Sequence, residues 1–172
     1  STDAPHLLVE MIRTSPKSLI LLLDLLPRRD LVLHPRYLQA FYESTGLDSK
    51  RRQLLEASAE TRPYWTSSLF LRCTLSPAAV AVRVDTESEE GLEAIILGGA
   101  SRAVAEVVAT WLDRCVATAS EVSGEDRVLL VRRDAALKKA AIEMDLGSSL
   151  PRLFGPEVAG RVIGAVREVF GV

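Results

Sequence analysis

Two apolar runs of strand length, separated by a turn, dominate the start of the chain. His6-Leu7-Leu8-Val9-Glu10-Met11-Ile12-Arg13 leads through Thr14-Ser15-Pro16-Lys17 into Ser18-Leu19-Ile20-Leu21-Leu22-Leu23-Asp24-Leu25-Leu26. Run length and Ser-Pro turn chemistry predict a β-hairpin. Strand alternation puts Leu7, Val9 and Met11 on one face and Leu8, Glu10 and Ile12 on the other. Both faces are apolar, which predicts a central hairpin covered above and below. Glu10 is the exception, a carboxylate on an apolar face of a central strand. Desolvation there favours the protonated form, and a proton held near neutral pH is what an acid catalyst needs.

The pattern then changes. Pro35 suits the first turn of a helix carrying Tyr37, Leu38, Phe41 and Tyr42. A short helix follows over 49–57, and Arg62-Pro63-Tyr64-Trp65 reads as a turn or loop. Alternation of Leu69, Leu71, Cys73 and Leu75 predicts a strand interrupted by Ser76-Pro77, and 79–84 predicts another. From Glu89 the period becomes helical. A helix over 90–97 is expected to stop at Gly98-Gly99, with Ser101 capping the next. That next helix carries the stripe Val104, Val107, Val108, Trp111, Leu112, Cys115 and Val116. A basic helix over 125–144 is expected to end at Gly147-Ser148-Ser149, and a last helix to start at Pro156. Strands first and helices later predict an α+β fold with helices packed on an antiparallel sheet. No repeat or boundary divides residues 1–172 into further domains.

Composition narrows the class without naming a reaction. Apolar residues make up 48% and charged residues 26% of 172, the profile of a globular chain with a core. A net charge of -2 gives no overall attraction to nucleic acid or anionic membrane. Cys73 and Cys115 are far apart and outside any paired motif, which argues against a disulfide or metal site. The longest apolar run is too short for a membrane span. No targeting segment is visible, which says nothing about destination. There is no phosphate loop, dinucleotide fingerprint or nucleophile elbow.

Whole stretches carry more information. They include Ser1-Thr2-Asp3-Ala4-Pro5-His6 leading to Glu10, Asp30-Leu31-Val32-Leu33-His34-Pro35 with Tyr37-Leu38-Gln39-Ala40, and Leu47-Asp48-Ser49. Pro63-Tyr64, Ser68-Leu69-Phe70, Ser76-Pro77, Trp111-Leu112 with Arg114-Cys115, Pro151-Arg152-Leu153-Phe154-Gly155 and Phe170-Gly171-Val172 complete the set. In this order, nearly end to end, they resemble the red chlorophyll catabolite reductases, plant relatives of the ferredoxin-dependent bilin reductases. The resemblance implies a three-layer α/β/α sandwich with a central antiparallel sheet. Family members carry a substantial part before this stretch, so a C-terminal portion with a sheet incomplete on its N-terminal side is expected. It also implies reduction of a methine-bridge double bond of red chlorophyll catabolite, giving primary fluorescent chlorophyll catabolite. Reduced ferredoxin supplies single electrons, and no flavin, metal or nicotinamide is bound. A chloroplast location follows, and family members can be dimers. A phytobilin reductase and a non-catalytic tetrapyrrole-binding protein are the alternatives.

The resemblance assigns roles to three residues. Glu10 matches the catalytic glutamate, against the simpler reading of a strand carboxylate paired with Arg13 or a neighbour. Asp145 matches the second acid; at a helix end it would oppose the macrodipole, and a solvated aspartate is the plain alternative. Leu75 matches a pocket position that governs which product epimer forms, against an ordinary core leucine. Asp24 reads as a third pocket acid or as a salt-bridge partner of Arg28 or Arg29. Ferredoxin is acidic, and two basic clusters could meet it: Arg28, Arg29, Lys50, Arg51 and Arg52, or Arg132, Arg133, Lys138 and Lys139. Trp111 reads as core, and Trp65 is open to either reading.

Overall fold

The computed structural model describes residues 2–171, leaving aside the side chains of Met144, Asp145, Ser148 and Ser149. They fall into two compact units, residues 2–121 and 122–171, each taken by itself.

In the first unit β1 (His6–Ser15) and β2 (Ser18–Leu26) form the expected hairpin, paired from His6↔Leu26 to Arg13↔Leu19 with an irregularity before Ser15. There follow α1 (Pro35–Leu38), α2 (Leu47–Ala57), β3 (Thr61–Pro63), α3 (Leu69–Thr74), β4 (Val80–Asp85), α4 (Glu89–Ile95) and α5 (Ser101–Thr110). Wider π-helical turns occupy Gln39–Glu43, Ile96–Ala100 and Trp111–Val116. The four strands form one antiparallel sheet in the order β1-β2-β4-β3. The α+β class is as the sequence predicts. The placement of β1 is not: among the described residues it is an edge strand, paired with β2 alone, and the apolar hairpin is central only through β2.

Register separates the two faces of the sheet. Leu21, Leu23 and Leu25 of β2 and Val80 and Val82 of β4 lie on one face with Leu7. They pack with Tyr37, Phe41, Tyr42, Leu47, Ala100, Ala103, Val107 and Cys115 into the main core. Each such leucine contributes about 2 kcal/mol by burial. Leu19, Val84 and Leu92 form a second, smaller cluster at the hairpin end, with Ile95 and Ile96 against it. The other face carries Leu8, Glu10, Ile12, Ile20, Leu22, Asp24 and Ala81.

Three local expectations are overturned. Residues 69–74 are a helix, because Ser68 caps it by accepting the Leu71 N–H at 3.3 Å, and Leu69 points to solvent. A short apolar run with one residue between neighbours does not by itself exclude a helix. Thr61–Pro63 is a strand and not a loop; Pro63 is tolerated because β3 is the other edge. Gly98 and Gly99 do not stop the helix, which runs over Glu89–Val116. Each glycine costs about 1 kcal/mol there, and the buried stripe Leu92, Ala100, Ala103 and Val107 offsets it. Ser101 therefore lies inside the helix, its hydroxyl donating to the Ile96 carbonyl at 2.6 Å. This helix is long and apolar enough by composition to cross a membrane, but its buried stripe belongs to the core of its own unit.

The second unit contains α6 (Gly124–Ala140), a π-helical segment Ala141–Leu146, and α7 (Gly147–Phe170). The helix expected to end at Gly147 continues. A Cβ at Gly147 would stand 3.0 Å from the Ile142 carbonyl oxygen, so glycine is what permits that wide turn. The break comes at Gly155, whose φ of 77° only glycine adopts readily, and Pro156 restarts the helix. Near the end of α7, the Lys138 ammonium donates to the Phe170 carbonyl at 3.2 Å and lies 5.6 Å from its ring centroid.

Candidate active site

Glu10 stands in the middle of β1, opposite Leu22, on the sheet face turned away from the helical core. It is half-buried, among Leu8, Ile12 and Ile20. Its apolar surroundings are as expected, but its strand is an edge and not a centre. Arg13 lies on the opposite face, where its guanidinium donates to Glu89 Oε1 at 2.5 Å and to the Pro16 carbonyl at 3.0 Å. Alternation makes the Glu10–Arg13 reading unsuitable, since an offset of three residues reverses the face.

Asp145 falls in the segment Ala141–Leu146, and its side chain lies outside the described residues. The argument from a helix C-terminus does not apply to it, because the backbone stays helical through Gly147 into α7. Glu10 and Asp145 belong to different units.

Leu75 sits at the bend between α3 and β4 and is half-buried. Its N–H donates to the Leu71 carbonyl at 3.2 Å, closing the last turn of α3. The next residue, Ser76, is buried and held by Asp24. Pairing of β2 with β4 ends at Leu23↔Val80, while pairing with β1 runs on to Leu26. Asp24 fills the gap. Its Oδ1 accepts from the Leu25 N–H at 2.8 Å and the Ser76 hydroxyl at 2.5 Å, and its Oδ2 accepts from the Ser76 N–H at 2.6 Å. The side chain has no exposed surface. Burial pushes its pKa up to about 6, while the bonds from Ser76 and Leu25 pull the other way. Asp24 is thus no ion-pair partner of Arg28 or Arg29. Ser76 was missed as its partner, although a buried acid must find donors and Ser-Pro turns offer both N–H and O–H.

Other groups are placed clearly. The Arg72 guanidinium lies 5.1 Å from the ring centroid of Trp65, which is 75% exposed, and Arg72 Nε is buried without a hydrogen-bond partner. Trp111 packs on the core and donates to the Pro5 carbonyl at 2.8 Å, the structural role expected of it. A cleft of ≈ 520 Å³ is lined by Asp3, Arg29, His34, Tyr37, Thr118 and Ser120 among others, and neither Glu10 nor Leu75 reaches it. It is built around an internal tie: Asp3 accepts from the Ser120 N–H at 2.8 Å and pairs with Arg29 at 3.4 Å. Among the described residues no three metal-ligating side chains converge.

An antiparallel sheet with helices packed against it defines the class of the fold. Tomato phytochromobilin synthase, solved in complex with biliverdin, shares it with a TM-score of 0.62 at 20% identity, over 94% of this chain and 54% of that one. The sequence goes further. The family model for red chlorophyll catabolite reductase matches residues 1–168, and the chain belongs to that family. The red chlorophyll catabolite reductase of Hordeum vulgare is 45% identical over the whole chain, which spans 84% of it. The chloroplastic enzymes of Oryza sativa subsp. japonica and Arabidopsis thaliana are 45% and 46% identical, and the chain spans about half of each, 53% and 54%.

Proposed function

We propose that the protein acts in the chloroplast as a ferredoxin-dependent reductase of red chlorophyll catabolite, an open-chain tetrapyrrole. The match to that family over residues 1–168 carries this reading. One methine-bridge carbon–carbon double bond becomes a single bond, taking up two electrons and two protons. Two reduced ferredoxins give one electron each and leave oxidised. The pigment holds the unpaired electron between the transfers, and the protein supplies protons and geometry. Glu10 is the first proton donor: it stands half-buried on the sheet face that also carries Leu8, Ile12 and Ile20. Asp145 supplies the second, and Leu75 shapes the pocket wall that decides which product epimer forms.

The test is an anaerobic assay with reduced ferredoxin and red chlorophyll catabolite, followed by separation of the fluorescent product. Glu10→Gln and Asp145→Asn each keep the side-chain shape and remove the transferable proton. Each is expected to lower turnover by at least about 10²-fold with an unchanged circular dichroism spectrum. Full activity in both amides would dismiss the assignment. The fold shared with phytochromobilin synthase makes biliverdin the control pigment, and its faster reduction would select the phytobilin reading. Pigment binding without turnover would select a carrier.

A further inference from the structure

We propose that Asp24 is a positioning residue: by holding Ser76 it fixes the bend that carries Leu75, and so sets the pocket wall without touching pigment. The inference rests on the placement of Leu75 in the pigment pocket proposed above; the clamp itself is geometry.

Leu75 is the single residue between the end of α3 and the Ser76 turn. On its N-terminal side the Leu75 N–H is tied to Leu71. On its C-terminal side both donors of Ser76 go to one carboxylate, the N–H to Oδ2 and the hydroxyl to Oδ1. The same hydroxyl oxygen accepts from the Ala78 N–H at 3.1 Å, and the Ala79 N–H reaches the Ser76 carbonyl at 3.2 Å. The turn into β4 is therefore pinned at Ser76, and the pin is anchored in β2 through the Leu25 N–H. Two oxygens gripping two donors of one residue fix orientation as well as distance, as paired charge-assisted bonds do. An apolar side chain at this position would let β4 pack, but would leave the Ser76 N–H and hydroxyl buried without partners. The first consequence would be rotation about the Leu75–Ser76 link.

The experiment compares Asp24→Asn, Ser76→Ala and Leu75→Val in the anaerobic assay, with the ratio of product epimers as readout. Asn keeps one acceptor and turns a donor toward the Ser76 N–H. Ala at 76 removes the hydroxyl and spares the backbone bond, so it covers the case in which Asp24→Asn fails to fold. Expected is a shift of at least about threefold in epimer ratio for Asp24→Asn or, if that variant is unfolded, for Ser76→Ala, with Leu75→Val shifting it too. Amide exchange should also quicken at residues 75–79 and stay unchanged across β1. Loss of rate at a fixed epimer ratio would mark Asp24 as structural only and overturn the inference. A shift with Leu75→Val but with neither clamp variant would overturn the clamp and leave the pocket reading intact. No shift with Leu75→Val would remove the pocket reading and the inference with it.

Discussion

Asp24 carries a cost that shows in the pH dependence of folding. Its carboxyl titrates near 3.8 when unfolded and near 6 when folded, because burial outweighs the bonds from Ser76 and Leu25. Between those values the unfolded chain has released the proton and the folded chain keeps it. Stability from this group is therefore present below the lower value and lost as pH rises through the upper one. From pH 4.5 to 7.5 the loss is about 2 kcal/mol. Asp24→Asn cannot titrate, so its unfolding free energy should lack that component, whatever the missing hydrogen bonds do to the overall level. Urea unfolding of both proteins at the two pH values measures it as a difference of differences. Tyr42, whose phenol donates to the Leu25 carbonyl at 2.6 Å, is the titratable neighbour and stays protonated, since burial raises its pKa. Equal pH slopes in the two proteins would refute the assignment.

At the level of elements, Asp85 ties three strands together. It accepts from Ser18 at the start of β2 at 2.6 Å, from Arg83 in β4 at 2.9 Å, and from Arg62 in β3. The Arg83 and Ser18 bonds lead in holding its carboxyl down at about 2. Stability from this group is present above the ordinary carboxyl value and lost as pH falls through the folded one, opposite in sign to Asp24. Solvent screening limits the effect of Asp85→Asn to about 1 kcal/mol. β3 makes only three register pairs, so amide exchange at Thr61 and Arg62 should quicken first. The same short strand shows what sequence can hide: its pairing depends on Val82 to Val84, twenty residues away, and Arg-Pro-Tyr carries no alternation to announce it. The β1–β2 hairpin was legible because its register follows from a short turn and alternating apolar residues. The α3 helix was not, since the alternation of Leu69, Leu71, Cys73 and Leu75 reads as a strand and the deciding contact is one Ser68 cap. In the candidate site the environment of Glu10 was legible from its neighbours. The partner of Asp24 was not, because Ser76 is fifty-two positions away and nothing local links them.

For the molecule as a whole, the two basic clusters that an acidic donor to the proposed reductase would meet differ in how their charges are paired. In the first cluster Arg28 is buried and donates to the Thr2 carbonyl, and Arg29 pairs with Asp3. Lys50 pairs with Glu106 at 2.5 Å, while Arg51 and Arg52 share Asp48 at 2.6 and 3.4 Å. Little field is left for a partner. In the second cluster, on α6, Arg132, Lys138 and Lys139 are exposed; Lys138 is tied to the Phe170 carbonyl at 3.2 Å, and the Lys139–Glu143 separation is 3.9 Å, too long for a strong pair. Val128, Leu129 and Val131 are exposed on the same helix, so charge and apolar surface occur together as transient docking surfaces require. If ferredoxin meets this helix, Arg132→Glu with Lys139→Glu should raise its KM about tenfold at low ionic strength and flatten the salt dependence. Arg51→Glu with Arg52→Glu should change neither by more than about twofold. Steady-state rates at stepped ionic strength, with ferredoxin varied and pigment saturating, separate the two. A larger effect from the Arg51 and Arg52 pair would move the docking surface to α2. Turnover with an artificial one-electron donor should stay at the wild-type rate in both double variants, because the proposed proton donors and pocket wall are untouched.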